Sequence, residues 1–357
     1  MEDYKQIDCT GRVAVLTGAN GMDAKTLTHF LLSKNYTVIL THRRNSLMDL
    51  ESHKSLFATE LKNYPLSKLD YAVCEISDQN SVNSCIQKVL QAYSKIDEMY
   101  LLGAMSHVAY SFHQKDSSII TNGQSVYYFL EALKNYSQKT KTYFANSSEV
   151  AGNVPNDYLF SEKTAWNPKS PYSIAKVLGA HWVNFYKESD DSNLFACYGI
   201  LFNHSNEYRT KDFFIMKVCN AAARIALGKE TELKLGNLEF YRDEHFSDFG
   251  VQAMWRMLQN DCATNYVISS GQTHHGEEYL DLAFNYFNLN WRNYVKFDKS
   301  LLRPNEVVRL VGDSSKAQRE LSWNPAKLSF NGHISILCKY CYDKEKTGTA
   351  QKTFLYL

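Results

Sequence analysis

The stretch Arg12-Val-Ala-Val-Leu-Thr-Gly-Ala-Asn-Gly-Met-Asp-Ala24 decides the fold of this chain. Its first six residues form a short apolar run that predicts a buried strand, and the helical segment 25–33 follows the loop. Gly18 permits a tight turn, and Gly21 lets the backbone approach a pyrophosphate at the N-terminus of the helix. Ala24 is small enough for close packing of the helix on the strand. The spacing therefore predicts a dinucleotide-binding loop, whose cofactor contacts also include Asn20, Met22 and Asp23.

The segment after the second strand favours one dinucleotide over another. This strand, residues 36–40, is followed by Thr41-His-Arg-Arg-Asn-Ser46. A NAD site would place a carboxylate here to hold the ribose 2′-hydroxyl. Two guanidiniums and a hydroxyl stand there instead, on Arg43, Arg44 and Ser46, and they suit a 2′-phosphate. A solvated basic loop is the simpler alternative, but the chemistry favours NADP as the cofactor.

Further strands and helices alternate along the chain. Strands are predicted at 70–74, 98–102, 141–145 and 194–201, with helices around 78–92, 117–135 and 172–187. This alternation predicts an α/β fold with a doubly wound parallel sheet of the Rossmann type. Ligands bind at the carboxyl ends of the strands in such sheets. The residues expected to line the cofactor at these ends are Glu75, Ile76, Leu102, Ala104 and Ser106.

Composition excludes several classes of function. The chain has 357 residues, enough for one large or two closely joined domains, and its 44% hydrophobic and 22% charged content is that of a globular protein. No apolar run approaches the ~20 residues that span a membrane, and the polar start does not resemble a signal peptide. A net charge of +1 gives no attraction towards nucleic acid. We expect a cytoplasmic protein with no nucleic-acid or membrane partner, and no metal, since Cys338 and Cys341 lack a second pair.

Two short motifs predict a proton-transfer site. The apolar run 142–145 is followed by Asn146-Ser-Ser-Glu149, so a strand end delivers hydroxyls and a carboxylate. Ser170-Pro-Tyr-Ser-Ile-Ala-Lys176 begins a helix on which Tyr172 and Lys176 share one face. A nearby ammonium favours the phenolate form of a tyrosine. The pair alone is a common chance pattern. Together with Ser147 and Glu149, it predicts acid/base chemistry beside the cofactor.

With these motifs in place, the chain resembles the GDP-mannose 4,6-dehydratases, which belong to the extended short-chain dehydrogenase/reductase family. The resemblance runs from about residue 12 to about residue 340. It also rests on Gly199-Ile-Leu-Phe-Asn-His204, Leu235-Gly-Asn-Leu238, Tyr241-Arg-Asp243, Ala253-Met-Trp-Arg-Met-Leu-Gln-Asn-Asp261, Arg303-Pro-Asn-Glu-Val307, Gly312-Asp313 and Trp323-Asn-Pro325. This combination is far more specific than the glycine loop alone.

The resemblance implies a reaction and a role for each catalytic residue. The family oxidises C4 of the sugar, eliminates water across C5 and C6, and returns the hydride to C6. Tyr172 matches the base that takes the C4 hydroxyl proton, and Lys176 matches its activator and ribose ligand. Ser147 matches the residue that hydrogen-bonds the reacting oxygen. Glu149 matches the carboxylate that removes the C5 proton and protonates the departing C6 hydroxyl.

The resemblance also implies binding residues and an oligomer. His204 and Arg209 match cofactor contacts near the nicotinamide end and the neighbouring subunit. Residues that match contacts to the GDP-sugar are Ser106, Asn203, Lys217, Arg242, Arg303 and Glu306. A homodimer or homotetramer is implied, in which the helices around 117–135 and 172–187 pack as a four-helix bundle.

The predicted domains interleave. An NADP-binding domain spans 1–200 and is completed by about 243–262, a smaller GDP-sugar-binding domain spans 201–242 and 263–342, and 343–357 form a tail. The alternatives are a dehydratase, reductase or epimerase acting on another GDP-sugar, such as a GDP-heptose, and a non-catalytic nucleotide-binding homologue. Retention of all four catalytic residues argues against the last.

Some positions depart from the family pattern. Glu75 replaces an aspartate, Met105 a glutamine and Ala151 an aromatic residue, and 244–248 reads Glu-His-Phe-Ser-Asp where Trp-Gly-His is usual. Ala151 raises the hypothesis of a sugar site enlarged for a bulkier sugar. In the alternative, Met105 fills the gap.

Overall fold

A computed structural model describes Tyr4 and residues 7–44, 50–60, 66–302 and 307–355. The strands are β1 (Val13–Thr17), β2 (Thr37–His42), β3 (Leu69–Val73), β4 (Glu98–Leu101), β5 (Lys141–Ser147), β6 (Ala196–Leu201), β7 (Asn203–Ser205), β8 (Leu233–Leu235), β9 (Tyr241–Phe246), β10 (Tyr266–Ile268), β11 (Thr273–His275), β12 (Val295–Phe297) and β13 (Arg309–Leu310). The helices are α1 (Met22–Ser33), α2 (Leu50–Glu60), α3 (Gln79–Tyr93), α4 (Val108–Ser111), α5 (Lys115–Ile119), α6 (Ser125–Tyr136), α7 (Pro171–Glu188), α8 (Phe214–Ala226), α9 (Ser247–Gln259), α10 (Gly276–Asn285), α11 (Ser315–Glu320) and α12 (Phe330–Thr347).

A seven-stranded sheet in the order β10-β6-β5-β4-β1-β2-β3 organises the larger part of the molecule. Each neighbouring pair in it is parallel, which confirms the predicted doubly wound sheet. β1 is buried along its whole length, as expected for a strand covered by helices on both faces. The strand order reverses on the two sides of β1. This switch point is where dinucleotides bind in open α/β sheets.

Helices cover both faces of this sheet and fix the positions of its strand ends. On one face α1 and α9 pack through Phe30 and Trp255. On the other, α3, α6 and α7 pack through Ile86, Leu130 and Val183. Each such buried side chain contributes about 1.5–3 kcal/mol relative to an exposed one. The ends of β1, β4 and β5 are therefore held in a rigid frame.

One buried carboxylate, at the amino end of the central strand β4, contacts residues from several elements. Glu98 begins β4 and accepts hydrogen bonds from Tyr36 Oη and Tyr100 Oη, each at 2.7 Å. Arg12 lies 3.3 Å from the same carboxylate, and Gln259 donates to it at 3.0 Å. Because each carboxylate oxygen has partners, this charge can be buried in a parallel sheet.

The smaller part contains a four-stranded sheet and the helices α8, α10 and α12. Its strands run β11-β9-β13, with β7 paired to β9, and β8 pairs with β12. Its core includes Phe284, Ile334 and Leu337. It corresponds to the predicted smaller α/β unit. In the part of the chain that the structure describes, no helix is long and apolar enough to cross a membrane.

Two boundaries differ from the predicted ones. β10 at 266–268 completes the larger sheet, although residues 263–342 were expected in the substrate-binding unit. Helix α12 continues to Thr347, past the expected start of the tail. The division into two domains stays a prediction.

Candidate active site

A cavity of about 710 Å³ opens between the carboxyl ends of β4, β5 and β6 and the smaller part of the molecule. Its lining contains the four predicted catalytic residues Ser147, Glu149, Tyr172 and Lys176. Predicted binding residues also line it, namely Asp23, Leu102, Ala104, Ser106, Asn203, His204, Arg209, Lys217 and Arg242. Its size lies in the range of small-molecule sites. The structure thus brings together most of the residues that sequence reasoning selected.

The start of α7 aims Tyr172 at this cavity. Ser170 is the N-cap and its Oγ accepts the Ser173 N–H at 3.1 Å, while Ser173 Oγ accepts the Ser170 N–H at 3.0 Å. This reciprocal pair is a capping box, and Pro171 fits the first helical position. Tyr172 consequently lies in the first turn, as predicted, and its side chain is buried.

A short turn after β5 presents Ser147 and Glu149. The Glu149 N–H donates to Ser147 Oγ at 3.3 Å, which caps the 3₁₀ turn Ser148–Ala151. The chain then reverses at Gly152, where φ is +66°. A Cβ at this glycine would lie 2.3 Å from the Asn167 carbonyl oxygen, so only glycine fits there. The turn therefore directs a hydroxyl and a carboxylate into the cavity.

Burial dominates the acid/base properties of the Tyr172–Lys176 pair. Burial raises the pKa of Tyr172 to about 12, although the adjacent Ser147 hydroxyl lowers it. Burial likewise lowers the pKa of Lys176 to about 7. Lys176 Nζ donates to the Ala145 carbonyl at 2.7 Å and lies 5.7 Å from the centre of the Tyr172 ring. Desolvation therefore outweighs the Ser147 hydroxyl and the Arg209 charge, both of which favour the phenolate. The stabilisation of the phenolate by Lys176 stays a prediction.

Asp23 and His204, both predicted cofactor residues, form an ion pair. His204 Nε2 lies 3.0 Å from Asp23 Oδ1, and its Nδ1 lies 2.8 Å from the Phe202 carbonyl. Burial opposes both charges, but His204 and Arg209 lower the pKa of Asp23 to about 2, and Asp23 raises that of His204. Arg209 donates to the His204 carbonyl at 2.5 Å. The Asp23–His204 pair holds β7 against the start of α1, and Arg209 ties the loop after β7 to the same place.

The glycine loop has the shape that a pyrophosphate needs. Gly18 has φ of +79°, and a Cβ there would lie 2.8 Å from Gly103 Cα at the end of β4. The Gly21 N–H donates to the Gly18 carbonyl at 2.8 Å, and α1 begins at the next residue. A tight loop leading into a helix N-terminus fits a dinucleotide. Asn20 is exposed on this loop.

Four of the other predicted cofactor residues lie just after the carboxyl ends of β2 and β3. Arg43 and Arg44 are exposed directly after β2, while Ser46 lies outside the described residues. Glu75 follows β3 and accepts a hydrogen bond from Ser77 Oγ at 2.9 Å. The Ile76 side chain packs against Gly103, which follows β4.

The cations expected to bind the diphosphate already have backbone partners. Lys217 Nζ donates to the Lys234 carbonyl at 2.8 Å. Arg242 donates to the carbonyls of Val307 and Val308 at 2.6 and 3.1 Å. Arg303 and Glu306, also predicted to bind the substrate, lie outside the described residues.

Asn122 is a positioning residue that sequence reasoning missed. Its side chain accepts the Met105 N–H at 2.7 Å and donates to the Met105 carbonyl at 3.2 Å. It lies in a π-helical turn, Ile120–Gln124, between α5 and α6. The buried amide fixes the loop that carries Ser106. A lone asparagine in an amphipathic run gave no signal for this role.

The enlarged sugar site has no support in the geometry. Ala151 is 5% exposed and packs in the apolar core with Val150 and Val154. Among the described residues, those that line the cavity include neither Ala151 nor Met105. A larger side chain at 151 would alter the core beneath the active-site turn, not the volume of the cavity.

Comparison with known proteins identifies the family. The model of the family GDP-mannose 4,6 dehydratase matches residues 15–336. The chain belongs to this family. Among GDP-mannose 4,6 dehydratases, enzyme 2 of Arabidopsis thaliana is 38% identical over 320 residues, covering 88% of this chain and 83% of that protein. The Homo sapiens GDP-mannose 4,6 dehydratase is 34% identical over 336 residues, covering 88% of this chain and 87% of that protein.

Solved structures share the fold of this GDP-mannose 4,6-dehydratase family member. RMD from Pseudomonas aeruginosa complexed with NADPH superimposes with a TM-score of 0.75 at 16% identity, covering 93% of this chain and 99% of that chain. dTDP-glucose 4,6-dehydratase from Bacillus anthracis in complex with NAD gives a TM-score of 0.76 at 17% identity, covering 94% and 97%. These likenesses confirm the Rossmann-type α/β architecture.

Proposed function

We propose that the protein dehydrates GDP-mannose to GDP-4-keto-6-deoxymannose with NADP as its cofactor. The observation that supports this proposal is the shared cavity of Ser147, Glu149, Tyr172 and Lys176 in a chain of this family. The carboxylate distinguishes a dehydratase from an enzyme that only oxidises or reduces C4. It supplies the base that water elimination requires.

The side chains divide the proton transfers between them. A bound nicotinamide supplies the acceptor for the C4 hydride and the donor that returns it to C6. Tyr172 takes the C4 hydroxyl proton while Ser147 hydrogen-bonds the same oxygen. The C4 ketone acidifies the C5 proton, and Glu149 removes that proton and passes it to the departing C6 hydroxyl, which leaves as water. When the hydride returns to C6, C5 takes up a proton, and this uptake balances the proton that Tyr172 took from the C4 hydroxyl. Lys176 holds the nicotinamide ribose and stabilises the Tyr172 phenolate by its charge.

NADP is proposed over NAD because of the residues after β2. Arg43 and Arg44 are exposed there, and guanidiniums pair well with a phosphate. Ser46 would add a hydroxyl to the same phosphate. The segment 41–46 contains no carboxylate to hold a ribose 2′-hydroxyl.

The GDP part of the substrate is assigned to the smaller half of the cavity. Asn203, Lys217 and Arg242 line it, and Arg303 and Glu306 are proposed to hold the nucleotide. Among the described residues, Lys217 uses one of the three donors of its ammonium on the Lys234 carbonyl. We also propose a cytoplasmic homodimer or homotetramer.

Mass spectrometry of the reaction tests the function. The purified protein with NADP should convert GDP-mannose to a product lighter by one water. A product of unchanged mass would indicate an epimerase, and one lighter by two hydrogens, with NADPH formed, would indicate an enzyme that only oxidises C4. Binding of GDP-mannose without turnover would indicate a non-catalytic homologue. A GDP-heptose in parallel measures the preference for the hexose.

A further inference from the structure

Residues 351–355, here called the C-terminal strap, dock on the larger part of the molecule after α12 ends. The Thr353 N–H donates to Glu207 Oε1 at 2.8 Å, and the Leu355 N–H donates to Asp248 Oδ2 at 2.7 Å. The Phe354 ring lies 4.5 Å from the ring of His29 on α1. The strap thus joins α1, the start of α9 and the loop after β7.

Two buried carboxylates hold the backbone of the strap. Glu207 is 5% exposed and Asp248 is fully buried. Burial raises the pKa of both groups, and the strap N–H groups act in the opposite direction. A buried carboxylate without donors costs free energy, so release of the strap would leave both groups poorly satisfied. The docking is therefore specific.

Lys352 carries a buried positive charge into a cluster of three other residues. Its side chain is 8% exposed, it forms an ion pair with Glu60, and its ammonium lies 3.5 Å from the centre of the Tyr208 ring. His29 Nε2 lies 3.1 Å from Glu60 Oε2 and 2.7 Å from Tyr208 Oη. The cluster therefore joins α1, α2 and the loop after β7, and a second cation, Lys25 of α1, lies 5.7 Å from the centre of the same Tyr208 ring.

Two elements of the cluster, α1 and the loop after β7, adjoin the proposed cofactor site, and α2 follows part of that site in the sequence. Helix α1 begins directly after the glycine loop, and α2 follows the basic segment that carries Arg43 and Arg44. Tyr208 precedes Arg209, which contacts the His204 carbonyl beside Asp23. Buried ion pairs fix geometry more than they add stability. Lys352 is placed to set the spacing of these elements.

We propose that Lys352 is a positioning residue for the cofactor. It acts through Glu60 and Tyr208 to hold α2 against α1, which begins directly after the glycine loop. This inference rests on the proposed NADP site. Loss of the charge should loosen α2 relative to the glycine loop and weaken dinucleotide binding. Chemistry at the sugar should be little affected once the cofactor is bound.

The test compares Lys352→Met with two other variants of the full chain. Lys352→Arg keeps the cation. Lys339→Met is the control, because that lysine is exposed and pairs only with Asp343 on α12 among the described residues. Calorimetry gives the dissociation constants of NADP and of 2′,5′-ADP, and kinetics gives kcat at saturating NADP. Lys352→Met should raise both constants about tenfold with kcat within about twofold, a coupling of ordinary size. The other two variants should match wild type.

A second variant distinguishes a loss of the ion pair from a folding defect caused by Lys352→Met. Glu60→Gln removes the partner charge and should reproduce the loss of affinity, and the double variant should be no worse than either single one. Unchanged NADP affinity in both single variants would overturn the inference while wild type still dehydrates GDP-mannose. A wild-type protein that binds no NADP would instead overturn the proposed function, and the inference with it.

Discussion

Tyr172 has a buried phenol whose partner is the Ser147 hydroxyl, so the effect of removing the phenol oxygen can be predicted. Tyr172→Phe removes only the proton acceptor, because the ring keeps its packing at the start of α7. The variant should lose at least ~100-fold in kcat, the usual contribution of a general base. NADP affinity should stay within about twofold of wild type. Near-normal turnover, measured as loss of water from GDP-mannose, would exclude Tyr172 as the base.

Lys176 should make stability depend on pH. Its folded pKa of about 7 lies below its ordinary value of 10.5. Between these values the unfolded chain binds more protons, so the free energy of unfolding of the cofactor-free protein rises with pH in this window. Lys176→Met removes the cost of burying the charge. The variant should be more stable by roughly 2–4 kcal/mol near pH 6, with a smaller gain near pH 10. Urea unfolding at both pH values is the measurement, and a gain that does not change with pH would contradict the expectation.

At the residue scale, spacing predicted which side chains line the site but not their partners. Tyr172, Lys176, Ser147 and Glu149 follow from a helix repeat and a strand end, both local properties of the sequence. The contact of Lys176 with the Ala145 carbonyl joins residues on different elements. Such contacts depend on how elements pack, and a local pattern carries no information about them. The hydrogen bonds from Arg242 to backbone carbonyls could not be predicted for the same reason.

At the scale of one element, the cap of α7 contributes to stability and to activity. Ser170→Ala removes the hydrogen bond to the Ser173 N–H and should cost about 1 kcal/mol. Since the cap also fixes the first turn, kcat should fall with it. Ser329→Ala is a matched control, because Ser329 caps α12 by accepting the Gly332 N–H at 3.1 Å. It should cost similar stability without a change in kcat. Equal kcat in the two variants would show that the cap does not position Tyr172.

Helix boundaries were predicted well except where two helices touch. The expected helix 117–135 is interrupted by the π-helical turn 120–124. A Cβ at Gly123 would lie 2.7 Å from the Ala175 carbonyl, so this turn presses against α7. The wider turn also places Asn122 against Met105. An apolar periodicity reports a helix but not a local insertion imposed by its neighbour.

On the scale of the whole molecule, an apolar stripe on α7 supports the proposed dimer. Ile174 is 50% exposed and Phe185 58% exposed. Eleven residues separate them along the helix, which places them on one face. Phe185→Glu should convert the dimer to a monomer in light scattering and leave the unfolding free energy of the monomer within about 0.5 kcal/mol, as for other surface changes. Glu188→Gln on the same helix should leave the dimer intact. A monomeric wild type would remove this proposal.

The alternation of strands and helices in the sequence predicted the architecture of the larger sheet. It did not predict the strands of the smaller part. Parallel order and the switch at β1 are general consequences of βαβ units. The short strands β8 and β12 have three residues each, too few for a period to be seen. β10 joins the larger sheet from far along the chain, so its place depends on long-range pairing.

The cluster around Lys352 also has a consequence for how the protein is made. Glu60 and Lys352 are 292 residues apart in the chain. At ribosomal speeds of about 5–20 residues per second, roughly 15–60 s separate their synthesis. Throughout that interval Glu60 lacks its ion pair with Lys352, although His29 of α1 is already present to contact it. The contact between Glu60 and Lys352 can therefore form only well after both helices have been made.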